Sequence, residues 1–305
     1  MRIYEYGKDE IPNMQCALAI GLFDGVHTAH RELIKRALER AKELSLPLGV
    51  FTFSSESDIK SGTRRIYSTE ERLAILAECG VSFCVLSDFS SIRGMSAREF
   101  VEKTLYRELG CRLCAVGYNF RFGSGARADA EKLSEIMSSL GGETLICEEQ
   151  RLDGEEISST RIRKLLEAGE VEHAGRLLGE SYFVRGYVTH GRGIGSSRLG
   201  IPTINISFSD NSLIPRLGVY TASAVVDGVP HPAVANIGAC PTYGERKIHV
   251  EAHLFDFAGD LYGKYVRVNF LSFLRDEKQF DDENSLKMQI KADISAAIEK
   301  NRGAK

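Results

Sequence analysis

The sequence contains no apolar run approaching the roughly 18 residues that a membrane-spanning helix needs, so no such helix is expected. It lacks a basic excess. Lys and Arg number 39 against 42 Asp and Glu, a net charge of −3. No broad positive field therefore invites nucleic acid. The opening residues, Met1-Arg2-Ile3-Tyr4-Glu5, lack the apolar core of an export leader. A cytoplasmic location is the expectation, with neither nucleic acid nor membrane as a partner. Internal repeats and low-complexity tracts are missing too. The seven cysteines make an odd count, which does not suit a disulfide framework. Cys111 and Cys114 form a C-x-x-C pair, but no second pair stands at zinc-ligand spacing. Their segment reads as a strand, where positions i and i+3 point to opposite faces, so packing thiols are expected.

What is present suits a globular chain. Hydrophobic residues are 43% and charged residues 27% of 305, a length that accommodates two domains of about 150 residues each. Short apolar runs in the first half, at Ala17–Ile20, Leu48–Phe53, Phe83–Leu86, Leu113–Gly117 and Thr144–Cys147, alternate with helical patterns. Leu33, Ile34, Ala37, Leu38, Ala41 and Leu44 keep one helical face. Ser68 with Glu71, and Ser96 with Glu99, read as capping boxes, and Gly80 and Gly110 stand where C-terminal caps belong. Such alternation predicts a parallel sheet covered on both sides, with ligands beyond the carboxyl ends of its strands. The pattern changes near residue 180. Helical segments Thr160–Ala168 and Val171–Leu178 end at Gly179. Strands follow at Tyr182–Val188, Thr203–Ile206, Val219–Val226, Ala233–Asn236, Ile248–Phe255 and Tyr265–Phe270, then an amphipathic segment near Ser285 to Lys300. This half predicts an antiparallel barrel or sandwich with a terminal helix.

In the first half, Gly21-Leu22-Phe23-Asp24-Gly25-Val26-His27-Thr28-Ala29-His30 runs from a strand through a glycine turn into a helix. That puts His27 and His30 one turn apart at a helix N-terminus, where anions bind well. Two imidazoles there suit phosphate oxygens; a pair of surface histidines and a metal pair are the other readings. Ser158-Ser159-Thr160-Arg161-Ile162-Arg163 gathers hydroxyls and guanidinium groups at a second helix start. It suits a polyphosphate, or is simply a capped helix with exposed arginines. Asn119-Phe120-Arg121-Phe122-Gly123 follows a strand and so belongs on the ligand-binding edge.

In the second half, Gly191-Arg192-Gly193-Ile194-Gly195-Ser196-Ser197-Arg198-Leu199-Gly200 is a dense glycine loop. Its backbone N–H groups can wrap phosphates, although the Gly-Lys-Ser/Thr ending of a Walker loop is missing, and a flexible turn is the other reading. In Pro202-Thr203-Ile204-Asn205 the two polar residues share one strand face, and their oxygens suit Mg²⁺ or simply make a polar face. Along Ile248-His249-Val250-Glu251-Ala252-His253-Leu254, His249, Glu251 and His253 share the polar face. A zinc site and a plain solvent face are both open readings of that triplet.

Taken in order, these segments resemble the bacterial bifunctional riboflavin kinase/FMN adenylyltransferase (FAD synthetase) family over most of the chain. The resemblance adds Val234-Ala235-Asn236-Ile237-Gly238, Asp260-Leu261-Tyr262-Gly263-Lys264 and Leu274-Arg275-Asp276-Glu277-Lys278. It implies a Rossmann-like nucleotidyltransferase domain over residues 1–180, then a riboflavin kinase β-barrel over residues 181–305. The implied chemistry is ATP-dependent phosphorylation of riboflavin to FMN and adenylylation of FMN to FAD, assisted by Mg²⁺ or Mn²⁺. For adenylyl transfer it implies His27, His30 and Arg161 as catalytic. Gly21, Phe23, Asp24, Gly25, Asn119, Ser159 and Thr160 would make nucleotide contacts. For the kinase it implies Glu251 as base, Thr203 and Asn205 on the metal, Gly193, Gly195, Gly200 and Asn236 on ATP, and Arg275 and Glu277 beside the flavin. The chain departs from the family at Ala29, where a second glycine is usual, and at Ser54-Ser55-Glu56-Ser57, where a Pro-His-Pro element is usual. These departures leave a kinase with an impaired first half as an alternative. A flavin-binding protein without catalysis is a further alternative, against which Thr203, Asn205 and Glu251 argue, since binding needs no base.

Overall fold

The computed structural model describes residues 1–54, 64–189, 202–208, 212–242, 245–280 and 282–303. Two compact units divide them, Met1–Ser159 and Thr160–Lys305.

The first unit is built on β1 (Arg2–Glu5), β2 (Cys16–Ile20), β3 (Leu48–Phe53), β4 (Phe83–Ser87), β5 (Cys111–Gly117) and β6 (Glu143–Cys147). They form one sheet in the order β1-β4-β3-β2-β5-β6, with every neighbouring pair parallel. All five residues of β2 are buried, as a continuous apolar run covered on both faces requires. Helices α1 (Thr28–Glu43), α2 (Thr69–Glu78) and α3 (Ala130–Ser139) supply part of that cover. α1 buries Leu33, Ile34, Ala37 and Ala41. Leu44, expected on the same face, caps the helix and is exposed, because it lies past the last full turn. The Ser68–Glu71 capping box opens α2, and Ser96 accepts from the Glu99 N–H at 3.2 Å. Gly80 and Gly110 follow their helices at φ +88° and +65°, a region that glycine enters without steric cost.

One expectation about this sheet is corrected. Cys16 pairs with Cys111, but Ala17 pairs with Leu113, so Arg112 is an extra residue on β5. This bulge resets the alternation of side chains. The Cys111 and Cys114 sulfurs therefore meet at 3.4 Å instead of pointing apart. Both are free thiols and fully buried, and burial pushes the Cys111 thiol well above its ordinary range. They pack as small apolar groups, as expected.

α4 (Ser159–Ala168) starts at the junction of the units, and α5 (Val171–Leu178) ends on Gly179 at φ +82°. Both helices pack with the second unit. The Leu166 carbonyl accepts from the Arg216 N–H at 3.0 Å, and α5 lies against the last strand of the second sheet. That sheet contains β7 (Phe183–Tyr187), β8 (Ile204–Ser207), β9 (Gly218–Val226), β10 (Val229–Thr242), β11 (Glu245–Leu254) and β12 (Tyr265–Arg275). The order is β7-β12-β9-β10-β11-β8, antiparallel throughout. Its two edges meet where the Thr189 N–H donates to the Asn205 carbonyl at 2.9 Å, which nearly closes a barrel. Ala222, Ala224, Ala233, Ala235 and Ala252 line the interior beside Val250, Val268 and Phe270. Small side chains facing one another across paired strands let a six-stranded barrel fill without strain. The C-terminal α6 (Glu283–Gly303) lies on the outside, with Ile294 and Ala297 against Val219 and Val234.

Candidate functional site

In the first sheet, the strand order reverses between β2 and β5. Neighbours β3 and β4 lie to one side of β2, and β5 and β6 to the other. Ligands of open parallel sheets bind at such a switch point, beyond the carboxyl ends of the strands. The turn after β2 carries Gly21, Phe23, Asp24, Gly25 and His27, and the turn after β5 carries Asn119. The first turn is strained. Phe23 and Val26 take φ +50° and +42°, with Gly25 at +82° between them. Non-glycine residues rarely adopt that region, and such strain clusters at ligand sites.

Buried bonds hold the strained turn. The Asp24 carboxylate accepts from the Ile66 N–H at 3.0 Å. The Asp24 carbonyl accepts from the Ser159 hydroxyl at 2.8 Å, which brings the third sequence motif to the first across 135 residues. Arg72 is almost fully buried and donates to the Leu22 carbonyl at 2.5 Å and the Phe53 carbonyl at 3.0 Å. The sequence reading missed Arg72. Its available signal was the spacing to Ile75 and Leu76 on the buried face of α2.

His27 is the N-cap of α1, and its Nδ1 accepts from the His30 N–H at 3.4 Å. The two rings stack, with centroids 3.7 Å apart and planes at 14°. Burial pushes the His27 imidazole down to about 4. His30 is pushed well below its ordinary value, first by burial and then by the charges of His27 and Arg72. At neutral pH both rings are therefore uncharged and offer hydrogen bonds. The His30 Nδ1 is buried with no hydrogen-bond partner among the described residues, so the site presents an unmet polar atom. Asn119 is exposed beside this edge, with Phe120 and Phe122 stacked at 5.5 Å behind it. In α4, Thr160 is exposed and Arg161 meets the His173 Nε2 at 3.2 Å. Ala29 sits half-buried in the first turn of α1.

In the second unit, three strands align their polar residues. Asn205 of β8 lies opposite Glu251 of β11, and Glu251 lies opposite Asn236 of β10. Residues directly opposite share a face, so the two amides flank the carboxylate. The Thr203 hydroxyl completes the group by donating to the Glu251 carboxylate at 2.7 Å. The row continues through Val219, opposite Asn236, to Arg275, opposite Val219. Arg275 makes a two-point ion pair with Asp293 of α6 at 2.8 and 2.6 Å, fastening that helix beside the row. Glu277 reaches the same face. A Cβ on Gly238 would strike the Glu277 carboxylate and lie 2.7 Å from the Asn236 Nδ2. Hydroxyl, amide and carboxylate oxygens are hard donors of the kind Mg²⁺ takes. Among the described residues no cluster of three or more His, Cys, Asp or Glu could hold a metal, which disfavours the zinc reading of His249, Glu251 and His253. Gly193, Gly195 and Gly200 of the glycine loop lie outside the described residues, as do Ser55, Glu56 and Ser57.

Residues 9–161 match the family model described as FAD synthetase, and residues 178–300 match that described as riboflavin kinase. A bifunctional riboflavin kinase/FMN adenylyltransferase of Pseudomonas fluorescens is 36% identical, across 92% of each chain. One of Escherichia coli K12 is 33% identical, across 95% of this chain and 94% of its own. A crystal structure from Streptococcus pneumoniae, described as a macrolide-efflux protein, superposes with a TM-score of 0.87 at 30% identity, covering 97% of this chain and 99% of the other.

Proposed function

The chain belongs to the bifunctional riboflavin kinase/FMN adenylyltransferase family, and from that membership we propose that it makes FMN from riboflavin and FAD from FMN, consuming ATP in both steps. The observation that carries the kinase reading is the row Asn205–Glu251–Asn236, with the Thr203 hydroxyl on the carboxylate.

Glu251 accepts the proton of the terminal ribityl hydroxyl. That oxygen attacks the γ-phosphorus of ATP, the bond from this phosphorus to the bridging oxygen breaks, and ADP leaves. Thr203 and Asn205 would hold Mg²⁺, which neutralises polyphosphate charge. Asn236 orients the nucleotide from the other side of Glu251, and Gly193, Gly195 and Gly200 wrap its phosphates. Arg275 and Glu277 border the flavin.

In the first unit, a phosphate oxygen of FMN attacks the α-phosphorus of ATP and pyrophosphate leaves. The uncharged His27 and His30 donate hydrogen bonds to the phosphates, and Arg161 adds positive charge. Gly21, Phe23, Asp24 and Gly25 shape the turn, while Asn119, Ser159 and Thr160 contact the nucleotide. Positioning and charge neutralisation carry this step, as is general for transfers at phosphorus. We assign residues 1–180 to adenylyl transfer and residues 181–305 to the kinase. The retained His27, His30, Asn119 and Ser159 speak against an impaired first half. Efflux, named for the streptococcal protein, gains no support from the described residues, where no helix is long and apolar enough to cross a membrane.

The test incubates the protein with riboflavin, ATP and Mg²⁺ and separates the flavins, with a parallel reaction started from FMN. FMN followed by FAD is expected. FMN without FAD in either tube would leave a kinase alone, and no product from folded protein would overturn the reading.

A further inference from the structure

β8 pairs with β11 from Ile204, opposite Ala252, onward. Thr203 and Pro202 lie beyond that last ladder pair, between the ladder and the glycine loop. Pro202 has no N–H and cannot extend the ladder. Its carbonyl is bonded instead to the His253 Nδ1 at 2.7 Å. A carbonyl oxygen only accepts, so the Nδ1 carries the proton and donates. The His253 ring is itself braced by Phe255, at 5.8 Å between centroids, and Phe255 packs against the cluster under α6. A side chain thus holds the Pro202 carbonyl at the point where the ladder ends and the strand would otherwise fray. Thr203, the residue it steadies, is the one whose hydroxyl reaches Glu251.

We infer that His253 is a positioning residue for riboflavin phosphorylation. By tethering the Pro202 carbonyl it fixes the Thr203 hydroxyl and, two residues further, the Asn205 amide against Glu251. The inference rests on the kinase function proposed above. It assigns His253 no contact with the reacting atoms. The three oxygens form one donor set only if Thr203 stays in register, and a displacement of about 1 Å there is costly to an oriented site.

The test compares His253→Ala, His253→Asn and His253→Gln in the full chain. The asparagine amide places an N–H near the position of Nδ1, whereas the glutamine amide reaches toward that of Nε2. His253→Ala is expected to lower kcat for FMN formation about 10- to 100-fold, the usual range for supports of a metal site, and to raise the Mg²⁺ concentration at half-activity. His253→Asn should restore most of both, and His253→Gln should not. Conversion of FMN to FAD should stay at the wild-type rate in all three, which reports intact protein. Hydrogen exchange gives a readout independent of turnover. The amides of 203–206 should exchange faster in the alanine and glutamine variants and not in the asparagine variant. Wild-type kcat and Mg²⁺ dependence in His253→Ala would overturn the inference, as would equal impairment of the asparagine and alanine variants. If the wild-type protein made no FMN, the proposed function would fall; unchanged exchange in His253→Ala would then separately remove the tether.

Discussion

Glu251 and His27 show how one side chain's surroundings set its use. Glu251 stands between two amides and under a hydroxyl, all on one face of the barrel. Replacing it by glutamine keeps the shape and removes the proposed base. Glu251→Gln should lower riboflavin phosphorylation by about 10²- to 10⁴-fold in a flavin-separation assay, while FMN is still converted to FAD. His27 is legible differently. Its place at a helix start could be read from the glycine turn before it, but its burial could not. The folded protein refuses a proton on His27 until about pH 4, against 6.5 for an ordinary imidazole. Between those values the unfolded chain binds a proton that the folded chain does not, so stability is full above pH 6.5 and declines as pH falls toward 4. The decline from pH 7 to pH 5 is on the order of 2 kcal/mol for this group. Urea unfolding at the two pH values should show it, and His27→Gln should reduce the difference, the buried His30 keeping its own share.

At the scale of the element, the hydrophobic period located all but one of the strands of the two six-stranded sheets, although β10, β11 and β12 run several residues past the expected bounds and α3 was not foreseen. β1 escaped, since Arg2-Ile3-Tyr4-Glu5 has too few apolar residues to signal an edge strand. Strand alternation also placed Thr203 with Asn205, and His249 with Glu251. It could not foresee that β8 and β10 would flank β11, because the sheet order departs from chain order. Nor could it foresee the bulge at Arg112, since one inserted residue leaves no mark on composition. Gly238 is another position decided by pairing. Its missing side chain leaves room for the Glu277 carboxylate and the Asn236 amide. Gly238→Ala should destabilise the second unit by about 1–3 kcal/mol in denaturant titration and depress kinase turnover with it. The FMN-to-FAD rate should not change.

The residues proposed for the kinase lie in the second compact unit and most of those proposed for adenylyl transfer in the first, with Thr160 and Arg161 opening the second; the Asp24 turn and the Glu251 row are each held by bonds within one unit. A variant disabled in one unit should therefore complement a variant disabled in the other. Mixing Glu251→Gln protein with His27→Ala protein should restore the conversion of riboflavin to FAD, with FMN crossing through solvent. Chromatography of the mixture checks this, and FMN accumulating without FAD would argue against free exchange. The seam of the barrel carries a different consequence. An open six-stranded sheet would present two rows of unpaired backbone groups, ready to recruit strands from other copies. Here the Thr189 N–H and the Asn205 carbonyl occupy part of both rows. Pro202, with no N–H to offer, blunts the rest of one. A Thr189→Pro chain, deprived of that donor, would carry an open edge into every collision, and aggregation rather than lost turnover would be its first symptom.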